Sequence, residues 1–364
     1  MRSFLPTTRR RPRLRALLVG TAALAMTVFA VPAHADGPVV PGPGWNMARI
    51  TQAGPVAAGQ TSFSYTPHSH GAGVNAYVID SGLDYGNSDL GGRAALGYDT
   101  FGGDGQPCPT ANATDGADPR HGTEVADVLG GTQYGVANQV RLWSVKVADC
   151  GNVPHANFLA GINWVAAHHI SPAIAVISRN DMGAGYIGQD NDLAQAVNAL
   201  ADSGVFVAVS AGNVGANDNP ISCFIICLGN GPERYAVDNP PANAGHALVV
   251  MAMDRTDQAP DNSTYTQADG CTSTWSTAFG GEIYAPGVAI PTVFGTACGT
   301  SEAAPMAAGV AALYKATYGD VSSAALKTWI FDHATANAIT NNPPEQGGNN
   351  LTYTPNLLLN TGGL

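Results

Sequence analysis

Four short runs are apolar at nearly every position: Val74-Asn75-Ala76-Tyr77-Val78-Ile79, Ala173-Ile174-Ala175-Val176-Ile177, Val205-Phe206-Val207-Ala208-Val209 and Ala247-Leu248-Val249-Val250-Met251-Ala252. A strand with one wet face alternates apolar and polar residues, so runs without that alternation must be covered on both sides. Val140 to Val147 reads as a further strand. Helical patterns at Glu124 to Leu129, Asn157 to Ala167 and Asp192 to Ala201 separate these runs. Strands alternating with helices predict an α/β fold, a doubly wound, mostly parallel central sheet flanked by helices.

The last long helical segment is the Ala-rich run from Met306 to Tyr314, entered through Gly299-Thr300-Ser301-Glu302-Ala303-Ala304-Pro305. Ser301 is thus expected at a helix N-terminus, where unpaired backbone N–H groups and the helix dipole favour developing negative charge. Three other residues stand where open α/β sheets gather their chemistry. Asp80 follows the first strand, Asn213 follows the run ending at Val209, and His121 opens the helix that Gly130-Gly131 stops. Taken singly, each has a plain structural role: a helix cap for Ser301, Asx or glycine turns for Asp80 and Asn213, a capping residue for His121. Together they supply acyl-transfer chemistry. A serine hydroxyl needs an imidazole to take its proton, a carboxylate to orient that imidazole, and donors aimed at the oxyanion.

Residues 1–35 read as a signal peptide. Six arginines lie within the first 15 residues, an uncharged apolar run spans Ala16 to Val31, and Ala33-His34-Ala35 has the small-x-small pattern of a cleavage site. A short Gly/Pro-rich leader, 36–44, precedes one large domain, 45–364. Removing the six arginines leaves 10 basic residues against 27 acidic ones, a net charge of about −17. Such a surface repels phosphate backbones and anionic lipid, which argues against nucleic-acid and membrane partners. A secreted, extracellular monomer is expected. In an exported chain the six cysteines (Cys108, Cys150, Cys223, Cys227, Cys271, Cys298) are expected in up to three disulfides, with the pairing open.

The motifs Tyr77-Val78-Ile79-Asp80-Ser81-Gly82, His121-Gly122-Thr123 and Gly299-Thr300-Ser301 with Ala304-Pro305 resemble the subtilisin-like serine proteases, most closely their proteinase K branch. The order Asp, His, Ser is that of subtilisin. The resemblance implies a three-layer subtilisin-like fold and a broad-specificity secreted endopeptidase with an apolar or aromatic preference before the cut. It implies Ser301 as nucleophile, His121 as base and then acid, Asp80 as the orienting carboxylate, and an oxyanion hole of Asn213 and the Ser301 N–H. It also implies a substrate-binding segment at Met182-Gly183-Ala184-Gly185, polypeptide substrates, and no cofactor for the chemistry. A structural calcium is raised only by Glu282, which matches a ligand position in relatives.

Several residues depart from the family pattern. Glu302 follows the nucleophile in place of methionine; its charge, if near His121, is expected to stabilise the imidazolium and move the activity optimum to higher pH. The segment Ile177-Ser178-Arg179-Asn180-Asp181-Met182-Gly183 carries one extra residue, and only about ten residues separate Asp36 from the first matching position, where relatives carry a folding prodomain. These departures raise a second reading, a weak or inactive relative acting as a secreted protein-binding module. A lipase or esterase is disfavoured, because Ser301 lacks a glycine two residues on.

Overall fold

The computed structural model describes residues 44–109, 119–179, 191–215, 241–260, 271, 275–277, 280–342 and 354–364. Met182 to Gly185, Cys223 and Cys227 lie outside them. In chain order the elements are α1 (Trp45–Ile50), β1 (Asn75–Asp80), β2 (Ala94–Asp99), α2 (His121–Gly130), β3 (Arg141–Lys146), α3 (His155–His168), β4 (Ala173–Ile177), α4 (Asn191–Asp202) and β5 (Phe206–Ser210). There follow β6 (Asn213–Gly215), β7 (Leu248–Met253), β8 (Trp275–Thr277), β9 (Ile283–Pro286), β10 (Ile290–Thr292), β11 (Gly295–Ala297), α5 (Thr300–Tyr318), α6 (Ser323–His333), β12 (Thr335–Ala336) and β13 (Leu357–Leu358).

The main sheet has the order β12-β13-β9-β7-β5-β4-β1-β3-β2. All its pairings are parallel except β12 with β13. From β1 the chain builds outward through β3 and β2, then returns to the other side of β1 for β4, β5 and β7. The gap between β1 and β4 is therefore the switch point, and a crevice opens there at the carboxyl ends of the strands.

Helices cover both faces, and alternation along β3 proves it. Gly130 of α2 approaches Leu142, whereas Gly161 of α3 approaches Val145. An even and an odd position on one strand point to opposite sides. On one face α2 packs against α5, and on the other α3 packs against α4. The apolar strands β1, β4, β5 and β7 are buried throughout, as continuous apolar runs require.

The helix α5 lies over β4, β5, β7 and β9. It is buried at every position from Thr300 to Leu313, which its all-round alanine surface permits. Disulfides join Cys108 to Cys150 and Cys271 to Cys298, resolving the pairing of four of the six cysteines. Their bonding also accounts for the close group of Cys108, Asp149 and Cys150, whose sulfurs are committed to disulfides and not to a metal. Among the described residues no helix is long and apolar enough to cross a membrane.

Candidate active site

Asp80 is the last residue of β1, 1% exposed, and is brought level with the ends of β3 and β4 by the parallel register. Its Oδ1 accepts hydrogen bonds from the Ser81 N–H at 2.7 Å, from His121 Nδ1 at 2.9 Å and from Arg179 Nε at 3.0 Å. Oδ2 lies 3.0 Å from His121 Nδ1. Burial would raise the Asp80 pKa, but the charges of His121 and Arg179 and their hydrogen bonds outweigh it and hold the carboxyl well below the ordinary range.

His121 begins α2, with its side chain 21% exposed. The following glycine has a steric reason. A β-carbon at Gly122 would lie 2.5 Å from the Gly82 carbonyl oxygen and 3.1 Å from Asp80 Cβ, so only glycine lets the helix start press against the end of β1. With Nδ1–H committed to a carboxylate, Nε2 is the bare, basic nitrogen. Burial lowers the His121 pKa, but the charge and hydrogen bond of Asp80 outweigh that and the net shift is upward; Arg179 pulls against it and Glu302 adds to it.

Ser301 lies in the first turn of α5, 9% exposed. Its hydroxyl donates to the Ser178 carbonyl at 3.0 Å, and no hydrogen bond joins it to His121. Ser178 Oγ in turn donates to the Ser301 carbonyl at 3.0 Å. That second bond has a cause in the sequence. Pro305 stands four residues on and has no N–H to offer this carbonyl, so a side chain from the end of β4 supplies the donor.

Asn213, just past β5, is oriented by the residue before the serine. Its Oδ1 accepts from the Thr300 N–H at 2.9 Å and from Thr300 Oγ1 at 3.0 Å, which leaves Nδ2 with no partner among the described residues. A β-carbon on Gly299 would lie 3.2 Å from Asn213 Nδ2 and 3.4 Å from the Ser301 nitrogen, so both donors border one space. Two donors converging beside a hydroxyl can bind a developing oxyanion.

The structure thus joins Asp80 to His121, and Asn213 to the Ser301 turn. Arg179 was missed as a site residue; its partner is 99 positions away and its sequence neighbourhood offers no signal. Glu302 departs from expectation. It is 3% exposed, and burial pushes its carboxyl up to about 8, opposed by His121 and reinforced by Glu124. Near neutral pH it is therefore mostly uncharged; its pull on the His121 pKa is upward, as its sequence position suggested, but it ranks below that of Asp80. Glu282 also reads differently: Oε1 pairs with Lys327 Nζ at 2.7 Å and Oε2 accepts from the Val249 N–H at 3.1 Å. Both oxygens serve protein donors, so this carboxylate does not fit a calcium ligand.

A parallel α/β sheet with a carboxylate–imidazole pair at its switch point and a serine at a helix N-terminus carries the groups that nucleophilic serine chemistry needs. Comparison supplies the family. The sequence model described as the Subtilase family matches residues 71–350, and the chain belongs to that family. The extracellular serine proteinase of Thermus sp. (strain Rt41A) is 33% identical over 327 residues, 87% of this chain and 66% of that protein. The alkaline serine exoprotease A of Vibrio alginolyticus is 32% identical over 283 residues, 76% of this chain and 45% of that protein. The matches thus span between just under half and about two thirds of the length of these curated relatives. A solved cold-adapted subtilisin-like serine proteinase superposes with a TM-score of 0.65 at 27% identity, covering 88% of this chain and 98% of that one.

Proposed function

We propose that this chain is a secreted serine endopeptidase that cleaves polypeptides through an acyl-enzyme, with an apolar or aromatic preference before the cut. Residues 45–364 would form the catalytic domain, after a signal peptide, 1–35, and a leader, 36–44. The observation that carries the reading is the Asp80–His121 pair at the β1/β4 switch point, next to the N-terminus of α5 that bears Ser301.

In the proposed cycle Ser301 Oγ leaves the Ser178 carbonyl, gives its proton to His121 Nε2 and attacks the scissile carbonyl carbon. The oxyanion is received by Asn213 Nδ2 and the Ser301 N–H. Imidazolium at His121 then returns the proton to the leaving amine, the C–N bond breaks, and the acyl group stays on Oγ. Water, deprotonated by His121, releases the acid and restores the hydroxyl. Asp80 holds the tautomer throughout, and Met182-Gly183-Ala184-Gly185 is the proposed segment on which the substrate backbone lies.

One observation favours the second reading, a secreted protein-binding relative without turnover: the Ser301 hydroxyl is bonded to the Ser178 carbonyl and not to His121. Against it, catalytic hydrogen bonds in ligand-free sites are often poorly aligned and reach their working geometry only with substrate bound. Treatment with a sulfonyl fluoride followed by peptide mapping separates the two. An endopeptidase is labelled at Ser301 and loses casein hydrolysis in parallel; an unlabelled serine and undigested casein would leave the binding module.

A further inference from the structure

We propose that Glu302, as a neutral carboxylic acid, is a third hydrogen-bond donor to the oxyanion and hence a catalytic residue of this site. The inference rests on the acyl-transfer reading of Ser301. Its geometric basis is the space over Gly299. A β-carbon there would lie 2.9 Å from Glu302 Oε2, beside the Asn213 Nδ2 and Ser301 nitrogen already described at 3.2 and 3.4 Å. Three polar atoms thus converge on one point beside Gly299, and two of them are the proposed oxyanion donors.

The third atom is unusual for its position. Oε2 is buried and has no hydrogen-bond partner among the described residues, which is costly for a polar group unless something that binds later supplies one. A carboxylate at this point would repel an oxyanion, whereas a carboxylic acid offers an O–H that lacks an acceptor until the oxyanion forms. No proton is transferred from Glu302 in the step; it donates a hydrogen bond and keeps its proton.

The surroundings decide between the two forms. His121 and Glu124 of α2 and Asp80 of β1 are the charged groups that act on Glu302, while Arg179, past β4, acts on Asp80 and His121. The strands under α5, namely β4, β5, β7 and β9, carry no charged side chain, and Lys327 of α6 is engaged by Glu282. Burial first, with Glu124 and Asp80 adding to it against His121, holds the proton on up to about pH 8.

The test uses the full chain and a peptide p-nitroanilide, with kcat/KM measured from pH 5 to 10 for the wild type, Glu302→Gln and Glu302→Leu. The wild type is expected to lose kcat/KM as the pH rises through about 8, and Glu302→Gln, which keeps a donor and cannot ionise, to be flat over that interval whatever its absolute level. Glu302→Leu is expected to lose about 10²-fold at pH 7, the scale of one oxyanion donor. A Leu variant as active as the wild type, or a falling alkaline limb that persists in the Gln variant, overturns the proposal. If the Leu variant does not fold, the Gln profile alone decides. Sulfonyl fluoride labelling of the wild type keeps the two levels apart: a labelled Ser301 with these contrary results sinks only the role of Glu302, whereas an unlabelled Ser301 sinks the hydrolase reading and this one with it.

Discussion

Asp80 and Glu302 are buried to nearly the same degree and act on the same imidazole, yet their carboxyls move in opposite directions. Asp80 gathers three donors, two of them cationic or able to become so. Glu302 has an oxygen with none among the described residues. Desolvation penalises both charges; what separates them is the partners that arrive with burial. One carboxyl is held ionised against His121, the other is held neutral beside Ser301.

The strongest way to break the contrast is to remove the charge from Asp80. Asp80→Asn keeps the shape but allows the wrong histidine tautomer, and turnover should fall by about 10⁴, as in other serine proteases of this design. A variant with near wild-type turnover would remove Asp80 from the mechanism. Next in size is the neutral side of the site. Asn213→Ala should cost about 10²–10³ in kcat with little change in KM, because the donor acts on the transition state. Steady-state kinetics on a chromogenic peptide decide it.

Arg179 sharpens the comparison. It competes with His121 for the same Asp80 oxygen, so its cation tempers the pull of Asp80 on the imidazole. In Arg179→Met the His121 pKa should rise, and the ascending limb of kcat/KM should move to higher pH. Lys at 179 should move that limb back. Loss of the charged hydrogen bond should also cost about 1–3 kcal/mol of stability, read by denaturant unfolding. An unmoved limb in the Met variant would reduce Arg179 to a structural support.

Asp127 extends the contrast away from the site. It is fully buried on α2, its Oδ2 accepts from the Val293 N–H at 2.8 Å, and burial first and the adjoining Asp89 second push its pKa up. A carboxyl raised in the folded state has its stabilising effect below its unfolded pKa and loses it as pH rises through the folded value. Asp127→Asn should therefore be more stable than the wild type by about 1–2 kcal/mol under mildly alkaline conditions, with the gap widening as pH rises. A constant or reversed gap in thermal unfolding against pH would contradict this.

Much of the architecture is legible in the chain because β1, β4, β5 and β7 are apolar without interruption and can sit only inside a covered sheet. The edge strand β2 escapes that logic. Its face is half exposed, Gly97 interrupts it, and the ladder slips between Leu96 and Tyr98. Asp80, His121, Asn213 and Ser301 were legible because each ends or begins an element. Arg179 was not, since an ion pair across 99 residues leaves no local pattern. Glu302 misled for a related reason: an acidic residue in the first turn of a helix suggests a solvated charge, and only the packing of α2 on α5 turns it into a buried acid. The Ser178–Ser301 exchange was equally hidden, although Pro305 announced that one carbonyl would need an outside donor.

The most direct measurement is a crystal structure of the chain with a peptide aldehyde. The account predicts a covalent bond from Ser301 Oγ to the aldehyde carbon, the hydroxyl having left the Ser178 carbonyl. The new oxygen should lie within hydrogen-bond distance of Asn213 Nδ2, the Ser301 N–H and Glu302 Oε2, with His121 still on Asp80. An aldehyde left unreacted, with Oγ still on the Ser178 carbonyl, would contradict it.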